Sequence, residues 1–266
     1  MKARKSVAGA FLLCALLLSA LAAQGASAAG TTAFTCASAG GVGPGFSKEH
    51  CKPADAVQSG ANFKHVAIAN GTTTELNITN ANTNAETNAA TTLITKATVA
   101  GLPLELTSTG VSGSGTITNT FENEEHIAHG TVTFTTTGVI AHNGCRVFTD
   151  SAAGTGEEGV IHTEPLKFTT KGQGHNVKFE PVAGNVIKRF ELTDCPMPAL
   201  NGTYTVTGSY TCPLEGATIV CSHAATTTQN TLKLNGAIKM GIAGSLTPKA
   251  RANSTEAYKP ISFTTT

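Results

Sequence analysis

The sequence contains no tryptophan and few aromatic residues of any kind. Its 266 residues include 11 phenylalanines and three tyrosines. Because carbohydrate-binding surfaces commonly use flat aromatic side chains as platforms, this composition disfavours a sugar-binding module. Extracellular carbohydrate or cell-wall binding therefore ranks as an alternative only.

Charged residues are also scarce, and neither sign dominates. They make up 13% of the chain, and the net charge is +1. Proteins that bind nucleic acid or anionic membranes usually carry concentrated basic residues. The composition therefore predicts no nucleic-acid partner.

Sequence motifs of common active sites are missing. The chain has no Gly-x-Ser-x-Gly, no His-Glu-x-x-His and no Cys-x-x-Cys segment, which are patterns of hydrolases, metalloproteases and zinc sites. We predict no catalysis, no cofactor and no metal. A secreted hydrolase remains a second alternative, because paired carboxylates can meet in space rather than in sequence.

Two segments resemble functional motifs but stand in the wrong context. Residues 154–159, GTGEEG, have the glycine spacing of a dinucleotide-binding loop, but they precede a predicted strand and place two carboxylates where a phosphate would lie. Residues 124–129, EEHIAH, cluster carboxylates and imidazoles. His126 and His129 would point to opposite faces of a strand, so we predict a solvated loop there and a flexible turn at 154–159.

The amino terminus has the pattern of a secretory signal peptide. Basic residues at positions 2, 4 and 5 precede an apolar run from Val7 to Ala23, and small residues at Ala26 and Ala28 suit cleavage after residue 28. A retained anchor is the alternative. Cleavage removes three of the 18 basic and none of the 17 acidic side chains, which leaves a net charge of about −2. No further run of about 18 apolar residues follows, so we predict a secreted or cell-envelope protein without a transmembrane segment.

Six cysteines follow the predicted cleavage site, which for an exported chain indicates three disulfides among 15 possible connectivities. We favour two local loops and one long-range bond, with a zinc site as the alternative. The pairs are Cys36–Cys51, Cys212–Cys221 and Cys145–Cys195.

Short threonine-rich strands separated by glycine or asparagine turns predict an all-β fold. In Gly130–Cys145, threonines at 131, 133 and 135 alternate with Val132 and Phe134, which is typical of a half-buried strand and here leads to a cysteine. Similar segments occur at 63–69, 75–79, 93–99, 102–107, 115–121, 160–169, 175–181, 185–192, 203–210, 217–220, 231–234, 237–246 and 261–265.

Because long amphipathic helices are absent, we predict an antiparallel β-sandwich or two stacked sheets stapled by disulfides. Residues 29–266 form a single region, with a weak boundary near 150–159. The glycine-rich segment from Thr31 to Pro53 is expected to lack regular structure and to depend on its disulfide.

Several of these segments resemble a group of secreted actinobacterial proteins for which no activity is established. The similar stretches are Phe34–Cys36, Gly45–Cys51, Thr163–Leu166 and Pro260–Thr265. The resemblance implies export and a β-rich fold, and it carries over no catalytic residue.

For function, the sequence favours a structural or adhesive role in the envelope or the medium. Extracellular β proteins commonly bind through loops, so under the alternative of a binding module the candidate partner is a cell-wall polymer or glycan. The oligomeric state does not follow from the sequence.

Overall fold

The computed structural model describes residues 31–49, 51, 53–80, 93–150, 156–223 and 229–265. The predicted signal peptide lies outside this part of the chain. So do residues 81–92, for which the Ala/Asn/Thr-rich sequence with almost no large apolar residue predicts a surface loop. Within it the secondary structure is strand, apart from two short 3₁₀ turns. The strands are β1 (Thr31–Ser38), β2 (Gly45–Phe46), β3 (Ala56–Val57), β4 (Phe63–Ala67), β5 (Thr74–Asn80), β6 (Leu93–Val99), β7 (Leu102–Ser108), β8 (Gly110–Glu122), β9 (Glu125–Thr137), β10 (Ile140–Ala141), β11 (Arg146–Thr149), β12 (Val160–His162), β13 (Leu166–Thr169), β14 (Asn176–Pro181), β15 (Val186–Thr193), β16 (Gly202–Thr207), β17 (Tyr210–Glu215), β18 (Thr218–His223), β19 (Lys233–Leu234), β20 (Ile238–Lys239), β21 (Gly241–Arg251) and β22 (Lys259–Thr265).

The main sheet closes into an eight-stranded antiparallel barrel. Hydrogen-bonded neighbours follow one another in the order β5, β8, β9, β13, β14, β17, β18 and β21, and β21 pairs back to β5. Most inward-facing residues of the barrel are apolar, and in β5 they alternate with partly exposed ones, as Leu76 and Ile78 show. The predicted all-β fold is therefore confirmed. The finer prediction, a sandwich or two stacked sheets, is met only in part, because the pairing of β5 with β21 closes the main sheet into a barrel.

Two glycines let the longest hairpin of the barrel coil tightly. β8 and β9 pair along their whole length of 13 residues each. A side chain at Gly115 would overlap the carbonyl of Thr131, and one at Gly130 would overlap the carbonyl of Thr116. The close approach of the two backbones thus requires glycine at both positions.

The lower end of the barrel is covered by β1, β4 and β22. β1 pairs with β22 on one side and with β4 on the other. The buried Asn119 of β8 holds this layer: it accepts a hydrogen bond from the backbone N–H of Ala33 and donates to the carbonyls of Ala33 and Ile68. The expectation that Thr31–Pro53 lacks regular structure is wrong for β1, which long-range pairing stabilises.

The upper end is covered by a second sheet, which we call the capping sheet, with strand order β11, β15, β16, β19 and β20. Phe190 and Tyr204 stack on its buried face with ring centroids 5.3 Å apart. The Tyr204 hydroxyl donates to the carbonyl of Leu200 at 2.8 Å. A backbone hydrogen bond of 2.7 Å from Glu164 to Ile187 joins this sheet to the chain that leaves the barrel, and the buried side chains of both sheets form one apolar core.

The six cysteines lie in pairs at disulfide distance, in the pairing favoured from the sequence. The Cα atoms are 5.8 Å apart in Cys36–Cys51, 4.1 Å in Cys145–Cys195 and 4.7 Å in Cys212–Cys221. The first pair closes the loop after β1. The second lies at one end of the β11–β15 pair and links the residue before β11 to the chain just after β15. The third crosses from β17 to β18 in the barrel wall. Bonds of this kind form in oxidising compartments.

Candidate functional site: a cavity at the capped end of the barrel

A largely apolar cavity, which we call the end cavity, lies between the upper end of the barrel and the capping sheet. Phe134 and Tyr210 line it from the barrel, and Ile187, Lys188 and Val206 line it from the capping sheet. The space between its lining atoms is about 650 Å³, which includes space that opens to solvent. The part of that space in which the centre of a water molecule fits is about 50 Å³. Since one water needs roughly 10–15 Å³ by this measure, the cavity has room for a small molecule.

An aromatic layer separates the end cavity from the lower half of the barrel. Phe179 lies at its centre, and its ring centroid is 5.9 Å from that of Phe134, 6.0 Å from that of Phe168 and 5.1 Å from that of Tyr210. Phe134 and Tyr210 line the end cavity, whereas Phe168 and Phe179 line a smaller apolar space in the barrel. The four rings therefore lie between these two spaces.

Lys188 is the one charged residue among the described residues that line the end cavity. It lies on the buried face of β15 because it is in phase with Phe190 and Leu192, which are also buried. The register of β15 against β16 shifts between Val186 and Lys188. Such a bulge redirects side chains, and here Ile187 and Lys188 are both buried although they are adjacent.

The Lys188 side chain has no charge partner. Only 8% of its surface is exposed, and it forms no hydrogen bond or ion pair with any residue that the structure describes. Burial therefore lowers the pKa of Lys188 to about 8 from an ordinary value of 10.5, since removal from water disfavours the charged amine. A buried lysine without a counter-ion is rare and destabilising in proteins.

Four hydroxyl side chains share the end cavity with Lys188. Two of them bond to the backbone, since Thr136 donates to the carbonyl of Ile161 and Thr163 accepts from the N–H of Phe134. The other two belong to Tyr210 and Thr95. Tyr210 is 6% exposed and Thr95 is 4% exposed, and no hydrogen bond to either side-chain oxygen occurs within the described part of the chain. Burial raises the pKa of Tyr210, so its hydroxyl stays protonated and can act as a donor. The polar groups of the cavity are thus one amine and several hydroxyls, set in an apolar wall.

The Cys212–Cys221 bond forms part of that wall. Cys221 lines the end cavity and Cys212 is fully buried beside it. This disulfide ties β17, which carries Tyr210, to β18. It therefore stabilises the shape of one side of the cavity.

Neither of the two segments that resemble functional motifs contributes a described residue to the lining of the end cavity. Residues 124–129 are not the predicted loop: β9 begins at Glu125, directly after a turn in which Asn123 and Glu124 both have positive φ. The ring of His126 contacts that of Phe121 at a tilt, with centroids 4.6 Å apart, while His129 pairs with Thr118 across the hairpin. No cluster of three potential metal ligands occurs among the described residues.

Residues 156–159 of the glycine-rich segment run back along β11, and residues 151–155 lie outside the described part of the chain. Glu158 forms a bridge with Phe148. The hydrogen bonds from Arg146 to Glu158, at 2.6 and 2.8 Å, lower the pKa of the Glu158 carboxyl. This carboxylate is thus engaged on the protein surface.

Sequence reasoning missed Lys188, although a signal was present. In VIKRFELT, residues 186–193, the lysine occupies the same face of the predicted strand as Phe190 and Leu192. A lysine on an apolar face contradicts the alternation expected of a half-buried strand. That the side chain faces a cavity without a carboxylate could not be read from the sequence, because the cavity is built from distant strands.

No helix of the described residues is both long and apolar enough to cross a membrane. A comparison with known proteins adds no relative: no family model, no curated protein and no solved structure matches this chain.

Proposed function

We propose that the protein is an exported binding protein that holds a small, mainly apolar molecule in the end cavity. Eight-stranded barrels have an interior wide enough for packed side chains or for one small ligand. Small-molecule sites are typically concave and apolar, with a few polar groups that orient the ligand. The end cavity has this composition, and its polar side chains are Lys188, Tyr210 and the threonines at 95, 136 and 163.

The observation that carries this proposal is the unpaired Lys188 in an apolar cavity. A methionine or leucine would fill the same space without the cost of a buried charge. A group that lowers stability and lies in a cavity is typical of a binding or catalytic site. The disulfides and the amino-terminal pattern support export.

The other expectations from the sequence stay predictions. A structural or adhesive role depends on the outer surface, on which the cavity has no bearing. A carbohydrate fits the end cavity less well than an apolar molecule, because its many hydroxyls would lie against apolar side chains. Absence of catalysis also stays a prediction.

Binding to the oxidised, secreted protein tests the proposal. Isothermal titration with hexan-1-ol and with hexanoate should give saturable binding of at least one of them, at one molecule per chain. Val206→Phe enlarges a side chain that lines the end cavity and should abolish binding. Val182→Phe makes the same change at a residue that is 50% exposed and should leave binding intact.

The fold of each variant is checked by its circular dichroism and melting temperature. If neither compound binds to the folded wild-type protein, or if the folded Val206→Phe variant binds as well as the wild type does, the proposed function is wrong.

A further inference from the structure

We infer that the ligand of the end cavity is a small apolar carboxylic acid, whose carboxylate pairs with Lys188. This inference rests on the proposed function and adds the chemical class of the ligand. It follows from three features of the cavity, which are its charge, the hydrogen-bonding character of its polar groups and its size.

The charge of the cavity calls for an anion. Lys188 contributes one positive charge, and no acidic residue occurs among the described residues that line the space. A neutral or cationic ligand would exclude water from the amine and leave it unpaired. An anionic ligand supplies the missing counter-ion in a site of low polarity, where an ion pair is stronger than at the surface.

The hydrogen-bonding character of the cavity calls for an acceptor. The Lys188 amine in its charged form is only a donor, and the protonated Tyr210 hydroxyl is free to donate. Thr95 adds a second hydroxyl. A carboxylate has two oxygens that only accept hydrogen bonds, so it matches an amine and two hydroxyls.

A single lysine favours a carboxylate over a phosphate. Phosphate groups carry more charge and are usually bound by arginine forks or by several backbone N–H groups. The described lining of the end cavity contains no arginine. One positive charge matches one carboxylate.

The apolar lining of the end cavity determines which apolar tail the ligand can have. Phe134, Ile187, Val206 and Leu246 surround the space, and such side chains gain free energy by contact with an apolar tail. Because the centre of a water molecule reaches only about 50 Å³ of the cavity, the tail must be short or slender. Acids of about six carbon atoms fit this description better than long-chain fatty acids.

The experiment compares hexanoate with hexan-1-ol, which has the same chain without the charge. On the wild-type protein hexanoate should bind at least tenfold more tightly, because hydrogen bonds to charged groups are the strong ones. Lys188→Met should weaken hexanoate binding at least tenfold and leave hexan-1-ol binding unchanged or tighter. Tyr210→Phe should weaken hexanoate binding by about fivefold, which corresponds to one ordinary hydrogen bond.

Lys64→Met is the matched control, since Lys64 is exposed on β4 at the lower end of the barrel. Equal affinity of the wild type for the two compounds, or hexanoate binding that survives Lys188→Met, would overturn the carboxylate inference while the proposed function stands. Failure of both compounds to bind would overturn both. A melting curve confirms that each variant is folded, and Tyr210→Phe provides a second variant should one of them unfold.

Discussion

Replacement of Lys188 by methionine should stabilise the protein at neutral pH, and the gain should shrink as the pH rises. The pKa of Lys188 falls from 10.5 to about 8 on folding. Each unit of pKa corresponds to about 1.4 kcal/mol, so burial of the charged amine costs about 3 kcal/mol below pH 8. Methionine has a similar length and no charge, and its variant avoids this cost.

The direction of the pH dependence follows from proton binding. Between pH 8 and pH 10.5 the unfolded chain keeps the Lys188 proton while the folded protein has lost it. Stability rises with pH wherever the unfolded state binds more protons. Between pH 7 and pH 10.5 the free energy of unfolding of the wild type should therefore rise by about 3 kcal/mol relative to that of the methionine variant.

Urea unfolding followed by circular dichroism, from about pH 6.5 to about pH 10.5, measures this difference. The raised pKa of Tyr210 acts in the opposite direction. The folded protein keeps the Tyr210 proton at a pH at which the unfolded chain has lost it, so the free energy of unfolding falls as the pH rises. Tyr210 is present in both proteins, so its contribution cancels in the comparison. Lys64→Met, at an exposed residue of β4, is the control for the loss of a lysine as such.

A difference between wild type and Lys188→Met that stays constant with pH would refute the reasoning. So would a methionine variant that is less stable than the wild type at neutral pH. Either result would mean that the Lys188 amine is solvated or paired in the folded protein.

Two further predictions concern the framework. Gly130→Ala should destabilise the protein by roughly 1–3 kcal/mol in urea unfolding, because its Cβ would overlap the carbonyl of Thr116. The control is Gly156→Ala, whose Cβ meets only ordinary contacts at 3.8 Å and beyond, and which should change the free energy of unfolding by less than about 0.5 kcal/mol. Equal losses in the two variants would contradict the argument. Replacing both cysteines of the disulfide that spans 50 residues by alanine should cost about 1.5 kcal/mol more than the same change in the disulfide that spans nine residues, since the entropy of loop closure grows with loop length. Equal melting losses for the two double variants would show that loop closure is not the main source of the stabilisation by these disulfides.

Local sequence patterns predicted the strands where alternation is regular. The predicted segment 93–99 coincides with β6, and 75–79 lies within β5. The stretch Gly130–Cys145 is only partly strand, since β9 ends at Thr137 and a turn at Gly138 precedes the short β10. Alternation reports which side chains share a face, but it does not locate the end of a strand.

β1 shows where local patterns fail. Its residues, TTAFTCAS, directly precede a glycine-rich stretch, which by its local pattern predicts no regular structure for the whole segment. The strand exists because Thr31 to Thr35 pair with residues 261–265 at the far end of the chain, and because Asn119 binds Ala33. A pairing between residues so distant in the chain leaves no trace in the local sequence.

The sequence by itself determined the all-β class, most of the strands and the favoured cysteine pairs, because these depend on periods of two residues, turn residues and loop lengths. Closure of the barrel was decided only by tertiary structure, through the pairing of β5 with β21 and of β9 with β13. The candidate site was also decided only by tertiary structure. The period of β15 places Lys188 on a buried face, but only the folded chain shows that this face meets a cavity without a carboxylate.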